Sequence, residues 1–177
     1  MAAPYYPESL WNEILPGLHQ GGTDEADELG GFLNNAPPGV KAWQAEDYIS
    51  ETQIRSQDFE TVVTAFVHAN PCGFGVKELR FAFMDGNMSD LKPERDLAWL
   101  VREAHTDWKS GKKVLIRCQA GINRSGLITA LVLIREGYKP EEAIKLIREK
   151  RCGSALTNER FESWLLYEAD TDYWQNI

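Results

Sequence analysis

The stretch Lys113-Val114-Leu115-Ile116-Arg117-Cys118-Gln119-Ala120-Gly121-Ile122-Asn123-Arg124-Ser125-Gly126-Leu127-Ile128 decides the fold. Lys113 to Arg117 reads as a short buried strand. Ser125 to Glu136 is apolar almost all round (Leu127, Ile128, Ala130, Leu131, Val132, Leu133, Ile134), which marks a helix buried on every side. A strand that passes through a tight loop into such a helix builds an anion cradle. Successive backbone N–H groups turn inward and the helix N-terminus adds partial positive charge. Gly121 permits the turn. A cysteine at the mouth of this nest is favoured as the thiolate, a nucleophile aimed at whatever the cradle holds. Arg124, six residues on, offers a planar fork for two phosphate oxygens. The same spacing fails for the other cysteines: six residues after Cys72 stands Glu78, and after Cys152, Asn158.

Working outward, Val76 to Phe83 alternates apolar and polar residues as a strand and ends at the loop signal Met84-Asp85-Gly86-Asn87. Glu60 to Val67 is rich in β-branched residues and reads as another strand. Asn12 to Gly22 reads as an edge strand interrupted by Pro16. Pro93 to Ser110 places Leu97, Leu100, Val101, Ala104 and Trp108 at helical spacing, with Gly111 as a stop. Pro140 to Arg151 and Asn158 to Ala169 read as amphipathic helices. Arg148, Lys150 and Arg151 read as a solvated helix end that complements the dipole, and Trp99, Trp108 and Trp164 as core. The segment 23–56 is acidic, contains Pro37-Pro38-Gly39, and has no clear pattern beyond one or two short helices with Trp43 and Tyr48 packing down. The order predicts an α/β protein, a single domain over 1–177, with a central mixed sheet, helices on both faces, and the cradle between a central strand and a buried helix.

Composition narrows the function classes. The chain has 177 residues, 43% of them apolar, and three cysteines, a sparse odd count that points to a reducing compartment, here the cytoplasm. The scattered histidines His19, His68 and His105 give no zinc spacing, so neither metal nor cofactor is expected. The first fifteen residues lack a basic residue and do not read as a signal or transit peptide. No apolar run reaches membrane-spanning length. Met1 to Asn70 carry 11 acidic and 2 basic residues, while the rest carry 16 and 17, so the net charge of −8 is concentrated near the N-terminus. That balance disfavours nucleic-acid and anionic-membrane partners yet leaves room for a local anion site.

Cys118 to Ser125 matches the cysteine-phosphatase signature: Cys, five residues, Arg, then Ser or Thr. From about Asn12 to Leu166 the chain resembles the small dual-specificity branch of the protein tyrosine phosphatases. The resemblance implies Cys118 as nucleophile, Arg124 as phosphate clamp, and Gln119, Ala120, Gly121, Ile122 and Asn123 as backbone donors to phosphate. It implies Asp85, 33 positions before Cys118, as general acid and then base, with Asp90 as runner-up. Ser125 would assist departure of the thiolate. The implied reaction is metal-free hydrolysis of phosphotyrosine, possible on phosphoserine and phosphothreonine, in a phosphorylated protein by a monomeric enzyme through a phosphocysteine. The same chemistry on RNA 5′-triphosphate or inositol phosphates, and an inactive phosphate-binding module, are the alternatives. One residue departs from the family pattern. Arg117 stands where the family usually has His, and as a strand neighbour of Cys118 it should point away from phosphate, free to bond the loop backbone.

Overall fold

The computed structural model describes residues 3–23, 54–86, 88 and 94–177. Five strands, β1 (Trp11–Leu15), β2 (Leu18–Gly21), β3 (Thr61–Thr64), β4 (Lys77–Arg80) and β5 (Val114–Arg117), form one sheet in the order β1-β2-β5-β3-β4. Strands β2, β5, β3 and β4 are parallel, and β1 adds antiparallel at one edge. β5 lies at the centre with all four residues buried, as its unbroken Val-Leu-Ile run requires. The chain returns from β3 to β4 through residues 65–76, a crossover just long enough for a parallel connection.

Five helices are described: α1 (Glu94–Lys109), α2 (Arg124–Arg135), α3 (Pro140–Lys150), α4 (Glu159–Tyr167) and α5 (Thr171–Asn176). Helix α2 is the axis of the core. Every residue from Ser125 to Ile134 is buried, because α1, α3, α5 and the sheet surround it. Strand alternation assigns the two faces of the sheet. Ile14, Leu18, Val63, Leu79, Val114 and Ile116 face the helices, while Val62 and Leu115 face the other way and pack with Ile54 and Phe59. The mixed α/β sheet expected from the sequence is present. The described helices that touch it lie on the α2 face, and segment 24–53, with Trp43 and Tyr48, is outside the described residues.

Three readings are corrected. Asn12 to Gly22 is two strands, with Leu15 opposite Leu18 across Pro16-Gly17, where Gly17 takes φ +82° and Trp108 Nε1 donates to the Pro16 carbonyl at 2.9 Å. Pro16 therefore makes a hairpin turn rather than breaking one edge strand, and β2 becomes an interior strand. A short final helix, α5, buries Trp174 against Trp164 at 6.0 Å and carries its own cap, Asp170, which accepts from Tyr173 N–H. Trp99 is 39% exposed and is not core, since its position on α1 faces away from α2.

Candidate active site

Cys118 leaves the end of β5 as its backbone N–H donates to the Gly21 carbonyl at 3.2 Å, and its side chain is 2% exposed. From there to Arg124 the loop turns its carbonyls outward, and each finds a donor outside the pocket. Thr23 N–H reaches Gln119 O, and Leu156 N–H reaches Ile122 O. Gln20 Nε2 and Arg151 Nε both donate to Gly121 O at 3.1 Å, and Arg151 Nη2 donates to Ala120 O at 3.4 Å. Asn123 O accepts from Leu127 N–H in the first turn of α2. Among the described residues, none of the N–H groups from Gln119 to Asn123 has a protein acceptor. Carbonyls tied behind and amides bare in front make an anion-binding concavity at the positive end of a helix.

Glycines let the loop come this close to the sheet. Gly121 has φ +69°, and a Cβ there would lie 2.4 Å from the Gly21 carbonyl carbon and 2.6 Å from Arg151 Nη2. A Cβ on Gly22 would lie 2.6 Å from Gln119 O. Behind the loop, Leu156 holds φ +58°, an unfavourable conformation for a bulky residue, and in that pose supplies the amide bonded to Ile122.

The polar groups converge on this concavity. Cys118 Sγ lies 3.3 Å from the buried Ser125 hydroxyl. Arg124 stacks on the Phe66 ring at 5.1 Å and donates from Nη1 to Phe83 O at 3.4 Å. Its Nε is buried and has no partner among the described residues. A buried guanidinium N–H without an acceptor is costly, and an anion in the cradle would satisfy it. Asp85 follows Phe83 and is clamped by two side chains, Asn123 Nδ2 at 3.0 Å and Asn158 Nδ2 at 2.7 Å. Asn158 also caps α4 by accepting from Arg160 and Phe161, and its own N–H donates to Asn123 Oδ1. A cleft of ≈ 340 Å³ bounded by Asp85, Gly86, Asn158, Glu159 and Arg160 opens beside the carboxylate.

Cys118, Gln119 to Arg124, Ser125 and Asp85 are thus brought to one place. Asp90 lies outside the described residues. Arg151 is not solvated, and Arg148, about a third exposed, is tied up in bonds to the protein. Arg151 is 2% exposed and, besides the loop, donates to Ser9 O and Asn12 Oδ1. Burial lowers its pKa, while neighbouring Cys152 and Cys118 act in the opposite sense. Arg148 binds Ala155 O, Leu156 O and both Glu162 oxygens, fixing the segment that carries Leu156. Arg117 does point away from the cradle, as strand alternation requires, but it is wholly buried. Among the described residues its partners include Thr64 on β3, Glu78 on β4 and the Asn70 carbonyl in the segment after β3.

A cysteine at a strand end, an arginine at the start of the next helix, and bare amides between them characterise one protein class, and residues 45–170 match the dual specificity phosphatase catalytic domain. The chain belongs to that family. Within it, this phosphatase-family chain is 35% identical over 80 residues to protein tyrosine phosphatase type IVA 3 of Bos taurus, covering 45% of this chain and 46% of that protein. It is 31% identical over 103 residues to tyrosine-protein phosphatase CDC14 of Saccharomyces cerevisiae, covering 57% and 18% of the two chains. The matched region spans about half the length of the type IVA relatives. The fold matches human DUSP28 with a TM-score of 0.62 at 21% identity, over 93% of this chain and 94% of that one.

Proposed function

We propose that this chain hydrolyses phosphate monoesters of protein, phosphotyrosine first and phosphoserine or phosphothreonine with it, through a phosphocysteine on Cys118. The observation that carries the reading is the cradle itself. Among the described residues its amides and the buried Arg124 Nε have no acceptor, its carbonyls are tied outside, and a buried thiol stands at its start. In the first step Cys118 Sγ attacks phosphorus, the bond to the leaving oxygen breaks, and Asp85 supplies the proton that this oxygen takes up. The amides of Gln119 to Asn123 and the Arg124 fork hold the three spectator oxygens, whose charge they stabilise as the transition state forms. In the second step Asp85 accepts a proton from water as it attacks the phosphocysteine. The Ser125 hydroxyl, 3.3 Å from Sγ, donates to the departing thiolate.

Phosphorylated proteins are the proposed substrates and a monomer the proposed state. Nucleic acid is disfavoured by the net charge of −8. Among the described residues no helix is long and apolar enough to cross a membrane. A cytoplasmic location is proposed on the three free cysteines, Cys72, Cys118 and Cys152. The test is turnover of p-nitrophenyl phosphate in chelator by wild type and Cys118→Ser. Turnover by wild type alone is expected, and an inert wild type or a fully active variant refutes the enzyme. Phosphopeptides, inositol phosphates and triphosphate-ended RNA, assayed side by side, decide the substrate class.

A further inference from the structure

Strand register gathers three charges on the sheet face opposite the helices. Thr64 pairs with Arg117 on one side and with Arg80 on the other, and Glu78 stands two residues before Arg80 on the same face. Glu78 Oε1 accepts from Thr64 Oγ1 at 2.6 Å, Arg80 Nη1 at 3.1 Å and Arg117 Nη2 at 3.3 Å, while Oε2 accepts from Cys72 N–H at 3.1 Å. Burial opposes ionisation of Glu78, but these donors and the two arginine charges outweigh it and hold its pKa below the usual value.

Each arginine has a second hand on the backbone that follows β3. Arg117 Nη2 donates to Asn70 O at 2.6 Å, and Arg80 Nη2 donates to Ala69 O at 2.6 Å and Phe66 O at 3.5 Å. That short segment presents the Phe66 ring, 6% exposed, to the Arg124 guanidinium. A flat aromatic face beneath a guanidinium fixes the plane of the fork.

Resting on the reading of Arg124 as phosphate clamp, we infer that Arg117, Glu78 and Arg80 form a positioning device that sets Arg124 through Phe66. None of the three touches the anion. The buried arginine preceding Cys118 serves the clamp from behind the sheet, a task with fixed charge that needs no titrating group.

The test is an energetic coupling between residues that do not touch the ligand. Tungstate, an oxyanion that requires no turnover, is titrated calorimetrically into wild type, Glu78→Gln, Phe66→Leu and the double variant. Each single change is expected to weaken binding about tenfold, the scale of one cation–π contact, and the double change about tenfold rather than a hundredfold. Val62→Ala, in the core of the same sheet face, is expected to lower Tm and leave the tungstate Kd unchanged, which separates positioning from stability. Arg80→Met takes the place of Glu78→Gln if that variant does not fold. Unchanged affinity in the single variants, strict additivity in the double, or no tungstate binding by wild type overturns the inference. Tungstate binding without p-nitrophenyl phosphate turnover would sink the enzymatic reading and leave this one standing.

Discussion

Replacing Arg151 by Met keeps most of the side-chain length and removes the guanidinium. Four acceptors lose a donor: Gly121 O at 3.1 Å, Ala120 O at 3.4 Å, Ser9 O at 2.7 Å and Asn12 Oδ1 at 2.6 Å. Bonds from a charged donor are each worth about 1.5–3 kcal/mol net, but one of these is long, and removing the buried charge recovers desolvation energy. Gly121 O keeps Gln20, so the carbonyls left bare are those of Ala120 and Ser9. Each carbonyl left unsatisfied costs about 1–3 kcal/mol, so the balance is a loss of about 2–5 kcal/mol of stability. The larger signal is expected in the reaction. With Ala120 O freed, its peptide can rotate and carry a phosphate-binding amide out of line, at a cost of about 100-fold in kcat/KM, the scale of one lost oxyanion donor. Urea unfolding gives the first number, and steady-state hydrolysis of an aryl phosphate at 15 °C, where the variant stays folded, gives the second. A variant that loses stability but retains wild-type kcat/KM would refute the claim that Arg151 aims the loop.

Gly121→Ala should abolish turnover, because its Cβ would sit 2.4–2.6 Å from backbone and guanidinium atoms at φ +69°; tungstate titration of a folded variant should show binding lost as well. Asp85→Asn should slow hydrolysis of phenyl phosphate by about 100- to 10,000-fold, and that of an ester with an acidic leaving group far less, as expected for a lost general acid. Asn158→Ala should show the same leaving-group bias in weaker form, since it removes one of two clamps on that carboxylate. Burial lowers the pKa of His105 and of His19 below 6.5, so the unfolded chain takes up these protons first. Their neutral forms cost nothing above that value, and stability should fall as pH drops through 6.5 towards the lower folded pKa. Urea midpoints at pH 7.5 and 5.5 should therefore differ less in His105→Gln than in wild type, and an equal difference in both would refute this.

The local part of the site was legible because strand, loop and helix are contiguous in sequence and each announces itself by pattern. Cys118 to Ser125 needed only a buried β run before it and an apolar helix after it. What escaped notice depends on distant partners. Arg151 looks like any basic residue at a helix end, and the carbonyls that bury it belong to Ser9 and to residues some thirty positions back in the loop. Asn158 reads as a helix start, which it is, while its hold on Asp85 depends on the fold placing α4 beside the acid loop. The Gly21-Gly22 pair carries a signal in the sequence: two adjacent glycines at a strand end mark close backbone approach, here to Gln119, Ala120 and Gly121. Pro16 alone reads as an interruption, whereas Gly17 after it, at positive φ, makes the pair a hairpin turn.

The contact of Gly21 and Gly22 with the loop also makes the cradle a one-sided gauge. The Gly21 and Gly22 backbone and the multiply bonded Arg151 and Gln20 side chains stand behind it, so the loop cannot retreat to admit a larger guest. An oxyanion wider than phosphate can be accommodated only by rising towards the mouth, which moves its central atom away from Cys118 Sγ. Anions of similar charge would then be graded by radius at the reactive sulfur, even where the rim holds them equally well.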